Sequence, residues 1–320
     1  MRDSDAVSDG DVIQHEVTLP HAADDARGQA RDDADRQASH RWRGYAALAV
    51  AVLAIGWSAI FVRWAHVSGP ASAFYRALTA TIVLVPWRLA RGGHASRRVV
   101  MFAALGGAFF ALDLALFNSA VLTTSAANAT LLGNNAPLMV GLGGWLVFHQ
   151  RPTGRFWIGL VLAFVGTATI AGADTFRHAS FGLGDAMAVF ASVFFAGYIL
   201  TTNRVRARAD TLTVTTVAVA ASAATLLVVC LVMRLPLTGY SAQSWAALAA
   251  LGLVTQLVGY LCVTYALGRL PATATSIGLL AQAPLTALLA VPFLGETLSV
   301  PQIAGGVLVL AGIYVVVSAA

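Results

Sequence analysis

At 320 residues, 58% of them hydrophobic, and with a mean hydropathy of +0.74, the chain is too apolar for an ordinary soluble domain. The net charge of +5 hides an asymmetry: ten of the 15 acidic residues precede Gly44, leaving five acids and 14 arginines after it. Those arginines flank apolar runs, so the basic excess reads as membrane topology rather than as nucleic-acid binding.

Residues 1–43 are polar, rich in Asp, Arg and Ala, and without apolar periodicity, which predicts a disordered cytoplasmic tail. The first apolar run starts too late, behind an acidic region, for a signal peptide. Ten candidate membrane helices follow, over 44–66, 71–90, 99–121, 125–149, 154–172, 184–204, 211–233, 242–268, 271–293 and 300–319. Each has room for the roughly 20 residues that cross a bilayer. With the N-terminus inside, 12 arginines, among them Arg88, Arg97, Arg151 and Arg204, fall on the cytoplasmic side and only Arg63, Arg177 and Arg234 outside. This is a strong positive-inside bias, and it places both termini in the cytoplasm. Trp64, Trp87, Trp157 and Trp245 lie near expected interfaces, whereas Trp57 lies deep in the first span.

The run from Asn118 to Gly172 has a weaker copy from Thr264 to Ser318. Asn135-Ala136-Pro137-Leu138 corresponds to Gln282-Ala283-Pro284-Leu285, and Asn128 to Thr275. After a one-residue gap, Gly159 matches Gly305, Gly166 matches Gly312, and Gln150 stands where the copy has Glu296. Five spans per half force the halves to insert in opposite senses. The expected fold is therefore an all-α integral membrane protein of ten transmembrane helices, built as two inverted five-helix repeats over 44–172 and 184–319. Such repeats are a signature of secondary transporters.

Six stretches carry a family resemblance: IGWSAIFVRWA, AFYRALTA and ALDLALFNSAVLTTSAANATLLGNNAPL in the first half, and AGYILTTNRVRAR, LGLVTQLVGYLCVTYALGRLPATATSIGLLAQAPL and LGETLSVPQIAGGVLVLAGIY in the second. In order, spacing and duplication they resemble the EamA family of the drug/metabolite transporter superfamily over residues 44–319. The resemblance implies a ten-helix exporter of small metabolites in the bacterial cytoplasmic (inner) membrane. Gln150 departs from the Glu common at that position.

Asp113 is the only acid well inside an expected span. A carboxylate there costs at least about 2.5 kcal/mol, so it should face protein or water. It is read as a proton-coupling or substrate-amine site, against a purely structural carboxylate. Arg76 is placed to bind a substrate carboxylate, or equally to snorkel or to pair with Glu296. Asn128 and Asn135, seven apart, share a face of the fourth helix, and Thr275 and Gln282 repeat that spacing in the ninth; substrate lining competes with interhelical hydrogen bonding. Gln256, Tyr260 and Thr264 form a stripe on the eighth helix. With Trp57, Ser58, Tyr75 and Tyr198 they are candidates to line a cavity suited to amino acids or other part-polar solutes. Asn134 points elsewhere and is read as structural. Gly159, Gly166, Gly305 and Gly312 are packing residues, and Pro137 and Pro284 kink or break their helices.

The leading expectation is a secondary transporter of a small metabolite, with the substrate, the lipid bilayer and a coupling proton as partners. A membrane scaffold or sensor is the alternative. An integral-membrane enzyme fits worst, since the chain offers one acid and no central His at membrane depth. Cys230 and Cys262 lie in apolar segments without ligand spacing, so neither a metal nor a cofactor is expected. There is no P-loop for ATP. The oligomeric state is left open.

Overall fold

The computed structural model describes residues 19–92, 95–123, 132–149, 151–171, 182–294 and 299–318. All regular structure among the described residues is helical. The chain divides into two compact units, Met1–Arg43 and Gly44–Ala320. In the first, helix α1 (Leu19–Gly56) begins at Leu19, where the sequence predicts no regular structure. Six alanines between Ala22 and Ala38 explain the difference, because Ala is the strongest helix former.

In the second unit α1 ends at Gly56, and α2 (Ser58–Ala65) resumes after Trp57. The first half continues with α3 (Gly69–Arg91), α4 (Arg97–Thr123), α5 (Ala136–Phe148) and α6 (Gly154–Ala171). In the second half come α7 (Leu183–Arg206), α8 (Thr211–Val232) and α9 (Ala242–Ala250), which runs through a π-helical segment (Leu251–Gly259) into α10 (Tyr260–Leu267). Helices α11 (Ala272–Leu279), α12 (Gln282–Leu294) and α13 (Val300–Val317) complete it. Every one of the ten apolar segments thus carries helix. Among the described residues seven helical runs are long and apolar enough to cross a membrane, and Ala136–Val147 and Gly154–Ile170 are shorter apolar helices. Their outward faces expose Leu146, Val161, Leu231 and Val307, as a lipid-facing surface requires.

The helix starts are specified locally. The Asp210 carboxylate accepts from the Thr213 amide at 3.0 Å, and the Ser241 hydroxyl from the Ser244 amide at 3.1 Å. Two breaks follow the internal repeat: the chain turns at Asn134-Asn135 before Pro137, and at Leu280-Ala281 before Pro284. Proline lacks the amide that would continue the preceding helix, so Pro137 and Pro284 act as breaks, one of the two outcomes expected of them. A third break, at Gly56-Trp57, frees the Gly56 carbonyl, which accepts from Thr286 of α12 at 2.9 Å. Leu285 fills the space a side chain at Gly56 would need.

The two most extensive helix pairings, α4 with α7 and α6 with α13, both join one half to the other, as do those of α8 with α3 and α4. At the α6–α13 crossing the paired residues run in opposite senses: Gly159 meets Gly312, and Gly166 meets Gly305. A Cβ on Gly159 would fall 2.5 Å from the Gly312 carbonyl oxygen, so only glycine lets the backbones approach this closely. The repeat register exchanges these two pairs, as a two-fold axis would. The main apolar core joins α1, α3, α4, α7, α8 and α10 around Phe110, Tyr198 and Tyr260.

Candidate functional site

Four segments bring polar side chains into this core. Arg76 of α3 is 6% exposed, and its Nε donates to the Gln256 Oε1 at 2.9 Å. Gln256 lies in the π-helical segment and is itself buried. A π turn widens the helix by one residue and is common at functional sites. Phe110 and Tyr260 wall the guanidinium, with ring centres 6.0 Å and 5.5 Å from Arg76 Cζ. Tyr198 of α7 completes the aromatic group, 4.9 Å from Phe110 and 6.0 Å from Tyr260 between ring centres. Its hydroxyl lies in hydrogen-bonding reach of Thr264 and Thr202.

Asp113 of α4, half-buried, faces this group and attracts Arg76 electrostatically. It forms no hydrogen bond or ion pair among the described residues. The guanidinium is also incompletely satisfied: Nη2 is buried and has no hydrogen-bond partner. The register that aligns Asn128 with Thr275 also aligns Asp113 with Tyr260. One repeat position is thus a carboxylic acid in the first half and a phenol in the second, both directed to Arg76.

Five of the twelve candidates therefore converge: Arg76, Asp113, Tyr198, Gln256 and Tyr260. The other described candidates make contacts elsewhere. The Tyr75 hydroxyl donates to the Leu237 carbonyl, and its ring packs on Phe74, Tyr240 and Trp245. Trp57 occupies the α1–α2 break, stacked 5.8 Å from Phe61 and edge-on 4.7 Å from Phe293, with Ser58 beside it. Asn135 and Gln282 stand at the breaks before Pro137 and Pro284, where the Asn135 amide donates to the Leu132 carbonyl at 3.1 Å. Thr275 is buried and donates to the Pro271 carbonyl at 3.1 Å. The amide nitrogen of Asn134 is buried without a partner. Asn128 and Glu296 lie outside the described residues. Phe110 was absent from the candidates, although its position three residues before Asp113 puts it on the same helical face.

One end of this group is tied down. Asn203 Nδ2 donates to the carbonyls of Leu267 at 2.7 Å and Leu270 at 3.3 Å, and Arg206 Nε to that of Thr264 at 3.0 Å. These α7 side chains satisfy carbonyls that the end of α10 leaves open.

A model of the EamA-like transporter family matches residues 42–172 and 182–318. Two proteins of Bacillus subtilis (strain 168) are similar in sequence. Uncharacterized transporter YwfM is 29% identical over 213 residues, covering 64% of this chain and 69% of its own. Uncharacterized transporter YyaM is 24% identical over 204 residues, 62% of this chain and 67% of its own. A solved crystal structure, 20% identical, superposes on 89% of this chain and 99% of its own with a TM-score of 0.70, which establishes a shared fold.

Proposed function

Because the chain belongs to the EamA-like transporter family and is a membrane transporter, we propose that it exports a small metabolite, such as an amino acid or related compound, across the cytoplasmic membrane by alternating access. The observation that carries this reading is the buried Arg76–Gln256 contact, made between the two halves of the chain. Buried polar groups at membrane depth are costly and mark substrate or ion pathways. Placing them at a repeat interface lets relative motion of the halves expose them to one side and then the other.

In this reading the chain crosses ten times with both termini in the cytoplasm, which the helix in every apolar segment and the arginine distribution support. Asp113, beside Arg76 and without a hydrogen bond or ion pair among the described residues, is the group through which a proton couples to flux. The test is counterflow in liposomes containing the purified chain, with labelled amino acids, organic acids, nucleosides, sugars and amines. At least one class exchanges, and exchange falls strongly in Gln256→Ala. Absence of counterflow for every class would overturn the reading and favour a scaffold or sensor.

A further inference from the structure

Resting on the reading of this group as the transport site, we propose that Arg76 receives a carboxylate of the substrate, and that this carboxylate and the ionised Asp113 compensate the guanidinium charge alternately, never together. Gln256 occupies the Nε edge of Arg76 and the Tyr260 hydroxyl lies in hydrogen-bonding reach of the guanidinium, whereas Nη2 is buried without a partner. The remaining guanidinium edge presents N–H groups in a planar fork that fits a carboxylate. Asp113 lies near enough to attract this cation yet is not bonded to it. The second negative group the site can hold is thus an incoming one.

Charge balance decides the rest. Arg76 and ionised Asp113 sum to zero. Adding a monoanionic substrate, whose carboxylate has no ammonium beside it, leaves one uncompensated negative charge in a buried site, which is strongly disfavoured unless Asp113 takes a proton from water. Loading then adds one carboxylate and one proton to the site together, and Arg76 keeps one compensating negative charge throughout. A phosphate dianion would leave a surplus even with Asp113 protonated, so the monoanion is preferred. Phe110, Tyr198 and Tyr260 around the guanidinium suit a flat, apolar body attached to that carboxylate.

The groups facing Arg76 are Asp113 from α4, Tyr198 from α7, and Tyr260 with the uncharged Gln256 from the segment ending in α10. Helix α8 adds none among the described residues. Asp113 is the one carboxylate among them, so the proton that the charge balance requires is assigned to it.

The probes are labelled benzoate and its neutral analogue benzamide, bound to the purified full chain in lipid nanodiscs between about pH 5 and pH 8. Benzoate affinity should rise as pH falls, by up to about tenfold per pH unit, the limit for uptake of one proton. Benzamide should not bind. Asp113→Asn should bind benzoate tightly with no pH dependence, and Arg76→Lys should bind it at least about tenfold more weakly. Because Asp113→Asn keeps size and hydrogen bonding, it decides the matter even if Arg76 variants fail to fold. Equal binding of benzamide, absence of benzoate binding at the lowest pH, or a pH slope retained in Asp113→Asn overturns the proposal. Benzoate binding of the expected kind without counterflow of any compound would instead overturn the transport reading. Counterflow of a neutral compound that Arg76→Lys leaves intact would overturn only the carboxylate assignment.

Discussion

Gly166 of α6 and Gly305 of α13 touch backbone to backbone: a Cβ on Gly166 would fall 2.6 Å from the Gly305 carbonyl oxygen, and one on Gly305 would fall 2.5 Å from that of Gly166. Backbone cannot yield as a side chain does, so one methyl group at either position must push the helices apart. Gly166→Ala and Gly305→Ala should each destabilise by about 1–3 kcal/mol. The double variant should lose less than the sum, since helices already separated need not separate twice. Thermal unfolding in detergent of both single variants and the double measures this. Strictly additive losses would show that the contact is not shared.

Gln256→Leu removes the acceptor for Arg76 Nε while conserving bulk. A buried charged donor without a partner costs about 3 kcal/mol or more. The variant should therefore lower the apparent melting temperature and abolish counterflow. A melting temperature equal to that of the unmodified chain would mean that the Arg76–Gln256 bond is not maintained in the folded protein.

At the α1 break one hydroxyl satisfies the freed carbonyl. Thr286→Val is nearly isosteric but leaves the Gly56 carbonyl unpaired, at a cost of about 1–3 kcal/mol. Thr286→Ser restores the donor and should recover most of the loss. Comparing the two melting curves isolates the hydrogen bond from the packing of Leu285 and Thr286.

Asp210 gives a pH prediction outside the membrane spans. Burial alone pushes its carboxyl up, but hydrogen bonds from Thr213 and the charge of Arg88 outweigh this and hold it below the ordinary carboxylate range. A depressed folded value means that the stabilisation is complete above about pH 4 and is lost as pH falls through the folded value. Asp210→Asn retains the helix cap and should flatten that acid limb. Asp210→Ala should cost about 1 kcal/mol at neutral pH. Melting temperatures measured from about pH 3 to pH 6 distinguish the three chains.

The repeat was legible because its markers are backbone-acting residues. Proline after Asn135-Ala136 and after Gln282-Ala283 forces the same break in both halves, and glycines matched seven apart mark one crossing. Arg76, Asp113 and Gln256 were legible because a charge or amide amid apolar residues must find company in the interior. Tyr75 was not separable from Arg76 by composition. One residue along a helix is a turn of about 100°, and this carries its ring to Tyr240 and Trp245 instead. The π segment left no mark in the sequence, since Leu251–Gly259 is as apolar as the helices it joins. Likewise the helix from Leu19 is a matter of alanine content against charge, which apolar periodicity does not register.

The glycine crossing has a consequence for how the two halves came to share one chain. Gly159 meets Gly312 as Gly305 meets Gly166, so the same patch lies on both sides of the contact with the roles reversed. That is the geometry of an isologous homodimer interface, in which residue i meets j and j meets i. The covalent connection between residues 172 and 182 adds nothing to this complementarity. Expressed as two separate polypeptides, the halves should recognise each other in the membrane and copurify, as subunits of a dimer do.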